Sequence, residues 1–156
     1  IIPVAGERLG LRVETGQENP VVGWTALYKK CPSPDVTYSL AAPLPLVLTD
    51  LLLPLRPGEG RLPVVSPLAV QAGDAATVAA FQAERDGARD WCILAHGGSQ
   101  AVRCEDVAFE GEALWLRRDP SGRLLRALGA NLRALRVGGQ TLVDSPELVP
   151  AFHWSA

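Results

Sequence analysis

At 156 residues the chain is one domain by size, long enough to bury a core without disulfide or metal staples. Its net charge of -2 excludes a nucleic-acid or polyanion binder driven by bulk charge. Its three cysteines, Cys31, Cys92 and Cys104, are odd in number and lack metal-type spacing. Buried free thiols are therefore expected, with a Cys92–Cys104 hairpin disulfide as the alternative.

In chain order, the start Ile1-Ile2-Pro3 has neither a charged leader nor a long apolar run, so no signal peptide is read there. With no methionine anywhere, such a start suggests a piece of something longer. Leu9 to Glu14 reads as a weak strand, followed by a turn at Gly16–Asn19. Val21 to Pro57 then holds three proline-broken strands. In the first, Val22, Trp24, Ala26 and Tyr28 share a face. In the second, Val36, Tyr38, Leu40 and Ala42 face a core while Asp35, Thr37 and Ser39 face water.

The third, Leu44 to Leu55, does not alternate. Leu44, Leu46, Leu48 and Leu52 fall on one face, and Val47, Leu51, Leu53 and Leu55 on the other. Its bracketing prolines leave it too short to cross a membrane, which takes about 20 apolar residues. A helix is open to so many leucines, but Pro54 would sit badly in its last turn, so a two-faced apolar strand is expected. An antiparallel sheet usually wets one face, so such a strand needs a cover, either a loop of this chain or a missing neighbour.

Arg56 to Gly60 is a loop, and Leu62 to Val70, with Pro63 and Pro67, runs along an edge. Asp74 could cap a helix, but Asp86-Gly87 is a strong turn signal, and we read a hairpin of Ala76–Ala83 and Arg89–His96. Beyond it, turns are expected at Gly97-Gly98, Glu110-Gly111, Asp119–Gly122 and Gly138-Gly139. Strands between them cover Ala101–Cys104, Val107–Glu110, Glu112–Arg118, Arg123–Ala130, Leu132–Val137 and Gln140–Val143. Short strands at near-regular spacing predict an all-β fold, an antiparallel two-layer β-sandwich spanning 1–156 as a single domain.

No catalytic constellation stands out. Gly-x-Ser-x-Gly is absent, Gly97-Gly98-Ser99-Gln100 lacks the lysine and helix of a phosphate loop, and His96 and His153 have no carboxylate or cysteine at ligand spacing. No catalytic residue, metal or cofactor is assigned. Arg117, Arg118, Arg123 and Arg126 gather at one hairpin end, ordinarily a solvated face, less often a saccharide or anion site. Trp91 and Trp115 sit mid-strand and should pack.

The run Gly23-Trp24, Tyr28, Lys30, Pro32-Ser33-Pro34, Tyr38, Leu44-Pro45, Thr49 and Leu53-Pro54 resembles the C-terminal β-sandwich of the heparinase II/III-like polysaccharide lyases. Asp106 to Leu142 is similar to that family's closing pattern of a D-x-x-G hairpin and a G-G-x-x-L turn. Ala26 and Lys29 depart from it, standing where small hydroxyl and small residues are expected. The resemblance implies a larger protein, with a helical toroid and a β-sheet layer upstream, that cleaves uronate-containing polysaccharides by β-elimination, with a Tyr and a His from those upstream parts as base and acid. It implies that this portion is non-catalytic, that its partner is the upstream catalytic domain of the same chain, and that an acidic polysaccharide is near. It also implies a periplasmic or extracellular setting rather than a cytoplasmic one; from the charge and the short apolar run, no nucleic-acid or membrane partner is expected. Trp24, Tyr28, Lys29 and Lys30 are the candidate substrate-binding residues. The ring of Trp24 could stack on a sugar, and Tyr28 with the two lysines could hydrogen-bond a uronate carboxylate, although packing is the commoner role for Trp24 and Tyr28. The alternative is a free-standing carbohydrate-binding or structural interaction module.

Overall fold

The computed structural model describes residues 2–4, 9–25, 30–42, 48–54, 58 and 61–156. They form two compact units, one of 5–44 and one of 1–4 with 45–156. In chain order the strands are β1 (Ile2–Pro3), β2 (Gly10–Thr15), β3 (Gln17–Glu18), β4 (Val21–Val22), β5 (Trp24–Thr25), β6 (Cys31–Pro32) and β7 (Pro34–Ser39). Then come β8 (Asp50–Leu51), β9 (Val64–Pro67), β10 (Gln71–Ala72), β11 (Val78–Arg85), β12 (Ala88–Ala95), β13 (Gln100–Cys104), β14 (Val107–Gly111), β15 (Ala113–Arg118), β16 (Leu124–Val137) and β17 (Gln140–Ser155).

The smaller unit is a set of antiparallel ribbons, β2 with β7, β3 with β4, and β5 with β6. Gly23 knots them together. Its carbonyl accepts from Gly16 N–H at 2.9 Å and from Ser33 N–H at 2.8 Å. At φ 72 a side chain is strained, and a Cβ there would strike the Glu14 carbonyl oxygen. The alternation expected for the second strand holds for Tyr38 but fails for Val36, which is exposed, as are Leu11 and Val13 across the ribbon. A two-stranded ribbon has too few neighbours to cover both faces.

The larger unit is a nine-stranded antiparallel sheet in the order β10-β13-β14-β16-β15-β12-β11-β9, with β17 along the other edge of β16. β16 pairs with β15 through Leu124–Ala130 and with β14 through Ala134–Val137, so one long strand serves both halves of the sheet. Between them the ladder breaks, Asn131 takes φ 50, and its side-chain amide donates to Glu112 Oε2 at 2.7 Å. Glu110-Gly111, expected as a turn, lies instead at the end of β14, where the chain passes into β15. Leu132, fully buried, fills the notch left by Gly111 and Gly129.

The sheet curls across this break, giving the expected all-β sandwich. Trp91, Ile93, Leu114, Leu116 and Ala127 from one half share a core with Val102, Cys104, Val107, Phe109, Leu135, Val137 and Val143 from the other. Arg118 links the halves at the rim. It is nine-tenths buried, lies 4.8 Å from the Trp91 ring centre, and donates to Asp106 at 2.7 Å and to the Gly122 carbonyl at 3.1 Å.

Three further expectations are corrected. Among the described residues of Leu44 to Leu55, 48–54, only Asp50–Leu51 pairs, with β1, so the expected strand is not continuous there; residues 43–47 and 55–57 lie outside the described residues. The last strand runs on from Val143 to Ser155, through Pro146 and Pro150. An edge strand tolerates proline, since one row of its backbone donors has no partner strand. All three cysteines are free thiols, with Cys104 buried, Cys92 half-buried and Cys31 exposed rather than buried.

Candidate functional site

Of the four residues singled out as substrate-binding, Trp24 and Lys30 are described, and Tyr28 and Lys29 lie outside the described residues. Trp24 is half-buried on β5, its indole N–H donating to the Gln17 carbonyl at 2.7 Å. Lys30 Nζ sits 4.2 Å from the centre of its ring. The ammonium therefore occupies one face of the indole, a cation–π contact that a stacking sugar would have to displace.

The larger unit carries a surface the sequence did not single out. Strand register sorts its side chains. The rows holding Trp91 and Ile93 face inward, so Phe81, Cys92, Trp115, Leu128 and His153 form a row across the outer face. On one side of it lie Leu94, Ala113, Ala130 and Ala151, and on the other Ala83, Asp90, Arg117, Arg126 and Ser155. An outer face this apolar is unusual for an antiparallel sheet.

Part of it is covered by the leucine-rich segment. Leu51 and Leu53 are half-buried and line a cavity of about 360 Å³ together with Phe81, Cys92 and Trp115. Leu48 and Leu52 are exposed. The two faces assigned from sequence are thus kept for residues 48–54, but the segment acts as a cover for the sheet. On its other side, a shallow apolar groove of about 400 Å³ runs past Thr49 and Asp50 to Leu94, Trp115 and Leu128.

The polar end of the face is built by two strands. Arg117 on β15 donates from Nε and Nη2 to Asp90 on β12 at 2.8 and 2.7 Å, a bidentate pair. That hydrogen bonding to Asp90 raises the guanidinium pKa above its usual value. The Arg117 guanidinium carbon lies 5.3 Å from the Trp115 ring centre. Burial first, then the charge of Asp90, pushes the nearby Cys92 thiol to about 11. The arginine cluster read from sequence is therefore divided. Arg117 and Arg126 lie on the outer face, Arg118 turns inward, and Arg123 pairs with Asp119 at 3.2 Å.

His96 and His153 are exposed, and no cluster of three or more His, Cys, Asp or Glu among the described residues could hold a metal ion. Burial pattern alone could not have found the outer face, because Phe81, Trp115 and Leu128 read as ordinary strand residues until register decides which side they take. No protein-family model, curated protein or solved structure matches this chain.

Proposed function

We propose that the chain is the non-catalytic C-terminal β-sandwich of a heparinase II/III-like polysaccharide lyase, bracing a catalytic domain and bordering its cleft for uronate-containing polysaccharide. The observation that carries the bracing role is the outer face of the sheet. Leu94 and Leu128 on it, and Leu48 and Leu52 on the segment above it, are exposed large apolar side chains of one unit. Exposed apolar side chains gathered on one face mark a protein contact more often than a solvated surface. The lyase assignment is supported by the Gly23-Trp24 and following motifs. Gly23 has the positive φ and close backbone contacts that make a glycine necessary there.

The test uses a longer protein that includes the preceding sequence. It should release unsaturated uronate product, followed by ultraviolet absorbance, while this chain alone releases none. Leu128→Asp should leave the melting temperature of this chain nearly unchanged and lower that of the longer protein. Absence of unsaturated product from any acidic polysaccharide given to the longer protein would remove the lyase reading. An unchanged melting temperature there would remove the bracing role.

A further inference from the structure

We infer that the free edge of β17 at Ala151–Ser155 is a self-association surface, where a second copy of this chain pairs antiparallel about a twofold axis at His153. This goes beyond the lyase reading and does not depend on it. On one side, Ala151–Ser155 pairs with Arg126–Ala130 of β16. Among the described residues no strand pairs with the other side. Ala156 N–H donates to the Leu125 carbonyl at 3.0 Å. Bonded and non-bonded pairs alternate along an antiparallel ladder, so Phe152 and Trp154 turn their main-chain groups to β16, while Ala151, His153 and Ser155 turn theirs to the open edge. Consistently, the Ala130 carbonyl faces away from its partner Ala151 and accepts from Glu112 N–H at 3.3 Å. Ala151, His153 and Ser155 are all exposed, so their donors and acceptors are open to another strand.

The other edges of the sheet are blunted. β9 ends in Pro67, β10 is two residues long, and the first half of β17 carries Asp144, Pro146 and Glu147 where its register with β16 shifts. Prolines, charges, bulges and short edges keep sheets from pairing with other chains. Ala151–Ser155 has no proline and no Lys, Arg, Asp or Glu. It is also self-complementary. With His153 opposite itself, Ala151 meets Ser155 of the second copy and Phe152 meets its Trp154, with about six main-chain hydrogen bonds across the axis. The Phe–Trp pairs fall at non-hydrogen-bonded positions, where side chains lie closest, and both rings are only partly buried against the core. Twofold pairing occupies this edge in both copies, so association closes at a dimer.

Sedimentation velocity of this chain over a concentration series should show a monomer–dimer equilibrium. His153→Lys, an exposed change that sets two ammonium groups face to face, should raise the dissociation constant about tenfold or more. An equimolar mixture of His153→Lys and His153→Asp should dimerise more tightly than either variant alone, a rescue that follows from residue 153 facing its own copy. Ser155→Pro removes an N–H that points away from β16, so it should weaken the dimer without changing the strand signal in circular dichroism. Gln140→Lys, at the other end of β17, should change nothing. The inference is overturned by a monomer at every concentration, which would give the edge to a strand of a different protein or leave it bare. It is equally overturned by a dimer that His153→Lys leaves intact, or by a mixture no tighter than its components. None of these outcomes bears on product formed by the longer protein.

Discussion

A thiol's reactivity depends on how easily it gives up its proton. Cys92 lies on the outer sheet face beside Asp90, and with its pKa pushed up to about 11 it stays protonated at neutral pH. Burial, then Glu105 and Asp106, also raises Cys104. The thiolate is the nucleophile, so iodoacetamide should modify exposed Cys31 first, Cys92 slowly and Cys104 only on unfolding. Peptide mass mapping over time checks this order, and equal rates at Cys31 and Cys92 would mean that the cover over the outer face opens readily. Asp119 makes a complementary case. Its carboxylate accepts from the Ser121 hydroxyl at 2.6 Å and from the backbone N–H groups of Ser121 and Arg123 at 2.9 and 3.0 Å. The Ser121 hydroxyl bond is the largest cause lowering its pKa from 3.8. A lowered acid stabilises the fold above its unfolded pKa and loses that contribution as pH falls through the folded one. Asp119→Asn should therefore lower the melting temperature near neutrality, and the gap from the parent should close once pH drops below 3.8.

At the scale of elements, the β11–β12 hairpin shows local sequence and tertiary structure in agreement. Asp86 and Gly87 take φ 53 and 80 in a two-residue turn, with Arg85 facing Ala88. Both central residues at positive φ match the right-handed twist of the arms. Gly87→Ala adds a Cβ at that φ, 3.1 Å from Pro120 Cγ. A loss of about 1–2 kcal/mol is expected, seen as a lower urea midpoint at constant slope. This hairpin, the Asp119–Gly122 turn and the Gly138-Gly139 turn were legible because turn residues carry their own backbone preference. Gly122 N–H does return to the Asp119 carbonyl at 2.9 Å. Asp74 was legible in part. It accepts from Ala76 N–H at 3.2 Å and caps a single 3-10 turn, Ala75–Thr77, before β11 begins. The second half of β17 was not legible, because Pro146 and Pro150 punctuate a sequence without saying whether a strand lies at an edge. The continuity of β14 into β15 was hidden for a similar reason, since Gly111 suits a turn and a bend equally. The candidate site fared worst. Arg117 was visible as part of a cluster, but only the register of β12, β15 and β16 separates it from Arg118 and sets it against Asp90.

For the whole molecule, the larger unit's stability rests on one core drawn from both halves of the curled sheet. Among the described residues, every member of that core, and every partly buried apolar side chain packed on it, lies between Leu68 and Trp154. Arg118 ties the halves together by side chains at the rim, and removing its partner leaves a mostly buried guanidinium with only the Gly122 carbonyl. Asp106→Ala should therefore cost about 2 kcal/mol, less than a fully buried pair, because Asp106 is 42% exposed and partly screened. Leu116→Ala, at a fully buried position, should cost about 2–5 kcal/mol through lost transfer energy and a residual cavity. The placement of the core leads to a stronger test. A fragment of 61–156 retains the nine-stranded sheet and every core residue but lacks Leu51 and Leu53 above Phe81, which is 5% exposed in the full chain. It should unfold in a single cooperative transition, since cooperativity follows the shared core. Its midpoint should lie below that of the full chain, and it should bind more of a dye that reports apolar surface, because the covered row from Phe81 to Trp115 is laid open. Loss of cooperative unfolding would mean that the leucine-rich cover is part of the core. An unchanged midpoint with no added dye binding would mean that the cover contributes nothing to the outer face.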